Sequence, residues 1–104
     1  MILNIELQDY IKRCILLQYK NYDLGHNMEH IQNVIKDSLA IARDYDVDIN
    51  MVYVVAAYHD IGLINGREDH HITSAKALEN DEHLKKWFDY SEIIIMKEAV
   101  EDHR

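Results

Sequence analysis

Residues 51–62 read Met-Val-Tyr-Val-Val-Ala-Ala-Tyr-His-Asp-Ile-Gly, an apolar run that ends in a histidine and an aspartate. His59 and Asp60 stand side by side where an apolar helix is about to end, and Gly62 suits the left-handed turn that stops helices. An unpaired carboxylate beside a core is costly, so Asp60 needs a partner. A divalent cation is the simplest partner for a neighbouring imidazole and carboxylate, which predicts a metal site at this doublet.

The rest of the chain predicts helices joined by short turns, because it has no proline, only 3 glycines, and apolar residues at helical spacing. The predicted helices span about residues 5–22, 26–45 and 48–61, then a helix from about residue 68, a short segment at 82–88 and a last helix capped by Ser91. We therefore expect an all-α fold, a compact single-domain bundle of about five to six helices. Residues 1–25 form a leading helix in this prediction, and residues 26–104 form the core that carries the motifs.

The composition, 48% hydrophobic and 29% charged, is that of one soluble domain. The net charge of -8 argues against a general nucleic-acid or membrane surface. A small phosphorylated molecule remains compatible, because a bound cation adds positive charge. No apolar run approaches the roughly 20 residues that span a bilayer. The single cysteine, Cys14, has no partner for an internal disulfide, and the first residues lack a basic leader, which predicts a cytoplasmic protein.

Histidines carry the rest of the metal prediction. The chain has seven, and one lies at the apolar edge of each predicted helix after the first. His26 and His30 are four residues apart and project from one side of the second helix. His70 opens the fourth helix, and His103 follows the stripe of Ile93, Met96 and Val100 on the last.

Four stretches resemble, in order, the motifs of the HD-domain superfamily of metal-dependent phosphohydrolases. They are His26-Asn27-Met28-Glu29-His30, the doublet within residues 56–62, His70 to Leu78, and Glu98 to His103. The resemblance implies an HD-like fold and a metal site whose ligands are His30, His59, Asp60, His70 and His103. The superfamily's pattern ends with one more aspartate on a later helix, whereas this sequence ends at Arg104, so the implied first metal lacks its last ligand. Either the chain is a truncated form of a longer parent, or water, Glu29, Asp102 or another subunit fills that position.

The resemblance also implies a reaction. Mixed imidazole and carboxylate ligands suit one or two ions of iron, manganese, zinc, cobalt or nickel, rather than magnesium or calcium. Such an ion can lower the pKa of a bound water from 15.7 towards about 7. The implied function is hydrolysis of a nucleotide or another small phosphate ester by metal-activated water. Asp60 would orient that water or take its proton, and Arg67 would hold a substrate phosphate.

Two other classes of function stay open. Diiron oxygenases of the same superfamily use a similar ligand set, and a product that requires dioxygen would identify one. A non-catalytic module, acting as a ligand sensor or as a homodimer formed through an exposed apolar strip at Ile94 and Met96, would bind metal without turnover or bind none. Each histidine also has a metal-free interpretation, in which His59 is a core residue paired with Asp60 and His70 is a surface residue.

Overall fold

The structure is a computed structural model that describes residues 3–21, 25–45, 47–62 and 69–102, with the backbone alone at residues 20, 21 and 25–28. Every regular element in these ranges is helical, so the predicted all-α class is confirmed. The elements are α1 (Ile5–Tyr10), a π-helix (Ile11–Leu16), α2 (Leu17–Asn21), α3 (Gly25–Ala42), α4 (Ile49–Tyr58), α5 (His70–Glu79), a 3₁₀-helix (Glu82–Lys86) and α6 (Tyr90–Glu101). Contacts divide the chain into two units, Met1–Ala57 and Tyr58–Arg104.

The first unit is built around one apolar face of its leading helical stretch. Leu7, Ile11, Ile15 and Tyr19 are buried and recur every four residues, as the helical pattern predicts. The hydroxyl of Tyr19 donates a hydrogen bond of 2.8 Å to the carbonyl oxygen of Ala57. This bond ties the leading stretch to the last turn of α4.

Polar side chains begin two helices of this unit. The side-chain oxygen of Asn4 accepts the backbone N–H of Leu7 at 3.0 Å and so caps α1. Asp48 Oδ1 accepts the backbone N–H groups of Asn50 and Met51, at 2.9 and 3.4 Å, at the start of α4. The backbone N–H of Asn4 donates to the Asn50 side chain at 2.7 Å, which joins the two helix starts.

The second unit buries an apolar cluster between α5, the 3₁₀-helix and α6. Its buried apolar residues include Ala75, Leu78, Leu84, Phe88, Ile93, Met96 and Val100. The predicted stripe on the last helix is therefore confirmed. The predicted apolar strip is wrong for Met96, which faces the core, whereas Ile95 on the opposite side of α6 is exposed. Lys97 Nζ lies 3.6 Å from Glu79 Oε2 and pairs α6 with α5.

The cap of α6 differs from the prediction, because Asp89 rather than Ser91 occupies the N-cap. Asp89 Oδ1 accepts the Glu92 backbone N–H at 2.9 Å, and the Glu92 side chain accepts the Asp89 backbone N–H at 3.0 Å. Ser91 instead donates its hydroxyl to Asp89 at 2.7 Å. This reciprocal capping box satisfies two backbone donors, one more than a serine cap alone. Among the described helices, none is both long and apolar enough to cross a bilayer.

Candidate metal centre

The doublet lies just beyond α4, which ends at Tyr58 rather than at the predicted Ile61. His59 and Asp60 form a turn, yet they are only 3% and 8% exposed. The hydroxyl of Tyr58 donates to Asp81 Oδ2, and Asp81 Oδ1 accepts the His83 backbone N–H at 3.0 Å as the N-cap of the 3₁₀-helix. The residue before the doublet is thus held against the start of another helix.

The segment after the doublet is held against α5 through Gly62. The Gly62 backbone N–H donates to the buried hydroxyl of Ser74 at 2.7 Å. A Cβ atom at position 62 would lie 2.9 Å from the nitrogen and hydroxyl oxygen of Ser74, and would clash with the carbonyl oxygen of His70. Gly62 does not adopt the left-handed backbone that the sequence suggests. Glycine is needed here for close approach, because any side chain would push α5 away.

The carboxylate of Asp60 lies between two imidazoles. Asp60 Oδ2 is 3.2 Å from His59 Nε2, and Asp60 Oδ1 is 3.3 Å from His70 Nε2. Each oxygen therefore faces a different ring. The three side chains come from two segments that the Gly62–Ser74 contact brings together, and His70 is the most accessible of the three.

Each of these separations matches that of two donor atoms bound to one cation. Two donors bound to one ion at about 2.1 Å lie roughly 3.0–3.4 Å apart at tetrahedral to octahedral angles. The two imidazole–carboxylate distances fall in that range. A mixed nitrogen and oxygen donor set suits a first-row transition ion. His59 and Asp60 are therefore close enough to bind one divalent metal together, and the other oxygen of Asp60 faces His70.

The start of α5 sets the direction of His70. Asp69, directly before it, has a φ of 57°, a left-handed conformation that aspartate tolerates better than most residues. Its carbonyl oxygen accepts the backbone N–H groups of Ile72 and Thr73, at 3.0 and 3.1 Å. The next residue, His71, turns its ring perpendicular to that of His70, with 6.1 Å between centroids. Of the two rings, that of His70 is the one paired with Asp60.

Of the other predicted ligands, the structure describes only His30. His30 lies on α3, in the first unit, and is exposed. Arg67 and His103 lie outside the described residues, as does the side chain of His26. His83 is exposed, as its polar surroundings predict, with Nδ1 3.2 Å from Asp81 Oδ1. The roles of His30, Arg67 and His103 stay predictions.

Sequence reasoning missed the residues that support the doublet. Tyr58 and Asp81 are 23 positions apart and Gly62 and Ser74 are 12 apart, so no local pattern pairs them. One signal was available for Asp81, because an aspartate that precedes a short polar helical segment is a typical N-cap. For Ser74 the sequence offered a weaker signal, a small residue four positions after His70.

The family is shown by comparison with known sequences. The family model of the HD domain matches residues 27–104, about three quarters of the chain. The chain therefore belongs to the HD domain family. Members of this family are commonly hydrolases and bind divalent metal ions. No match to a curated protein or to a solved structure was found.

Proposed function

We propose that this protein is a metal-dependent phosphohydrolase acting on a nucleotide or another small phosphate ester. The observation that carries the proposal is Asp60, a buried carboxylate whose two oxygens face two different imidazoles, in a chain of the HD domain family. A carboxylate in this position can bind one cation or bridge two.

The proposed ligands are His59, Asp60 and His70, together with His30 and His103 from the first and last motifs of the sequence. When bound, the cation supplies a Lewis acid that activates water and offsets the charge of a phosphate. Burial of His59 and Asp60 strengthens their electrostatic interactions with such an ion, because the local dielectric is lower than that of water.

Asp60 also has a role in handling the nucleophile. We assign it to orient the attacking water and to accept its proton at a carboxylate oxygen. The side chain of His70 is more accessible to solvent than that of His59. Arg67, which follows the doublet closely in sequence, is proposed to hold a substrate phosphate through paired N–H donors.

Hydrolysis of a small panel of esters tests this function, with p-nitrophenol measured for the two nitrophenyl esters and inorganic phosphate for the nucleotides. Protein stripped of metal and reloaded separately with iron, manganese, zinc, cobalt or nickel is given p-nitrophenyl phosphate, bis-p-nitrophenyl phosphate and nucleoside monophosphates. We expect turnover with at least one ion, and a loss of about 100-fold or more in Asp60→Asn, because removal of one charge-stabilising group costs several kcal/mol of transition-state energy. Asp37→Asn, at an exposed position of α3, is the matched control.

Three results contradict the proposal. Iron-dependent consumption of dioxygen without ester hydrolysis indicates an oxygenase of the same superfamily. Stoichiometric metal without turnover of any ester indicates a non-catalytic module. Equal activity in Asp60→Asn and the wild type would show that the carboxylate of Asp60 takes no part in the reaction.

A further inference from the structure

A cavity in the first unit is separate from the residues of the doublet. Its volume is about 330 Å³, which is at the lower end of the roughly 300–1,000 Å³ typical of small-molecule sites. The wall is mainly apolar, and the lining residues are Leu3, Gln8, Lys12, Leu16, Leu17, Gln32, Ile35, Leu39 and Tyr53.

Two features of the wall are unusual for a simple packing defect. Lys12 and Leu16 belong to the π-helix, a rare element that often occurs at functional sites. Tyr53 is 3% exposed, and its hydroxyl has no hydrogen-bond partner among the described residues. A buried polar group in that state costs about 1–3 kcal/mol unless a water or ligand satisfies it.

The polar groups of the cavity favour a ligand that accepts hydrogen bonds. Burial raises the pKa of Tyr53 to about 12, so its hydroxyl stays protonated and can donate. Lys12, also in the wall, is exposed and forms no ion pair with a described residue. Among the described residues, no carboxylate lines the cavity, although the whole chain carries a net charge of -8. A local cation beside apolar walls is complementary to an anionic group on an apolar body.

We propose that this cavity binds a small apolar carboxylic acid, with its hydrocarbon part against Leu16, Ile35 and Leu39 and its carboxylate paired with Lys12. Such a ligand removes apolar surface from water while its head group stays at a cationic, partly solvated position. The described lining residues all belong to the first unit, and none of them is a predicted ligand of the metal.

The test uses decanoate, decan-1-ol and decylammonium, which share one chain and differ in head-group charge. Isothermal titration of the full chain should show one decanoate site, with decan-1-ol about threefold weaker or more and decylammonium weaker still, as a single exposed ion pair allows. Lys12→Gln should remove the preference for decanoate over decan-1-ol. Lys36→Gln, on an exposed part of α3 that does not line the cavity, should keep it.

A cavity-filling variant locates the site. Leu39→Trp should weaken decanoate by about tenfold or more, because the indole occupies the space of the ligand. Ile41→Trp, at an exposed position of α3 outside the cavity, should bind within about twofold of the wild type. The proposal is overturned by absence of saturable binding, by equal affinity in Leu39→Trp, or by a decanoate preference that survives Lys12→Gln. None of these measurements depends on bound metal or on phosphate release.

Discussion

Gly62 is the residue on which the geometry of the doublet depends most. Its Cα lies so close to α5 that a methyl group would overlap backbone atoms of His70 and Ser74. Backbone atoms move less readily than a flexible side chain, so the strain cannot be relieved locally. The same contact holds His70 near Asp60.

Gly62→Ala should therefore lower the free energy of unfolding by about 2–3 kcal/mol, a typical result of overpacking a buried contact. Ser74→Ala should cost about 1–2 kcal/mol, because the buried Gly62 N–H loses its acceptor. Lys76→Ala, at an exposed position of α5, should stay within about 0.5 kcal/mol of the wild type in urea unfolding. A Gly62→Ala variant as stable as the wild type would contradict the close approach.

A substitution at Tyr53 should raise stability, whereas those at Gly62 and Ser74 should lower it. Tyr53→Phe removes a buried hydroxyl that lacks a partner in the described residues, so the free energy of unfolding at neutral pH should rise by about 1 kcal/mol. The pKa of Tyr53 is about 12 in the folded chain against an ordinary value of 10.0. As pH rises, the tyrosine ionises first in the unfolded state, and this ionisation stabilises the unfolded chain. The free energy of unfolding of the wild type should therefore fall between about pH 10 and 12.

The comparison of the two proteins isolates that effect from other alkaline titrations. The stability advantage of Tyr53→Phe should grow above pH 10, measured by denaturant unfolding at stepwise pH. A constant difference between pH 8 and 12 would show that the hydroxyl is solvated.

At the residue scale, the sequence singled out candidate ligands but not the contacts that hold them in place. His59 and Asp60 were singled out because a carboxylate beside a core needs a partner, and His70 because its stretch resembles a family motif. Gly62 was identified for the wrong reason, since a glycine required by a close approach and one required by a left-handed turn look alike in a sequence. The partners Ser74 and Asp81 depend on tertiary contacts that no local spacing encodes.

At the element scale, the capping box of α6 makes that helix sensitive to acid. The Glu92 backbone N–H, followed by the Ser91 hydroxyl, lowers the pKa of Asp89. A lowered pKa means that the contribution to stability is present above the ordinary aspartate value and is lost as pH falls through the folded value. Asp89 is the N-cap, so its protonation weakens the first turn.

Asp89→Ala should reduce stability at pH 7 and abolish this part of the acid dependence. Asp89→Asn keeps an acceptor at the N-cap, so it should retain most of the stability at pH 7 while losing the pH dependence below 4. Circular dichroism during urea unfolding at pH 3 and pH 7 measures both. Equal stability of Asp89→Ala and the wild type at pH 7 would contradict the cap.

Helix positions followed from the 3.6-residue pattern, whereas helix ends did not. The second predicted helix ran to about residue 45, but α3 ends at Ala42, and α4 stops three residues before the predicted end. The buried turn at His59 and Asp60 continues the apolar spacing of α4, so the sequence pattern does not show where the helix ends. The π-helix at Ile11–Leu16 was also not predicted, because its apolar spacing is close to that of an α-helix.

At the scale of the whole molecule, metal binding should contribute to stability. An ion that binds only the folded chain stabilises it by about 2.7 kcal/mol at one hundred times its dissociation constant. For a chain of this size that corresponds to a rise in Tm of roughly 10–20 °C. EDTA should lower the Tm of protein purified with its metal by this amount, and should leave His59→Ala unchanged. An equal response of the two proteins would show that the ion does not bind at the doublet.

The most direct measurement is the number of metal ions per chain, by elemental analysis of protein purified without added metal. The wild type should carry one or two transition ions. His59→Ala and Asp60→Ala should each carry about none, since a buried site that loses one of its few donors loses most of its affinity. His70→Ala or His103→Ala should remove at most one of two ions. Equal metal content in the wild type and the two doublet variants would contradict the account.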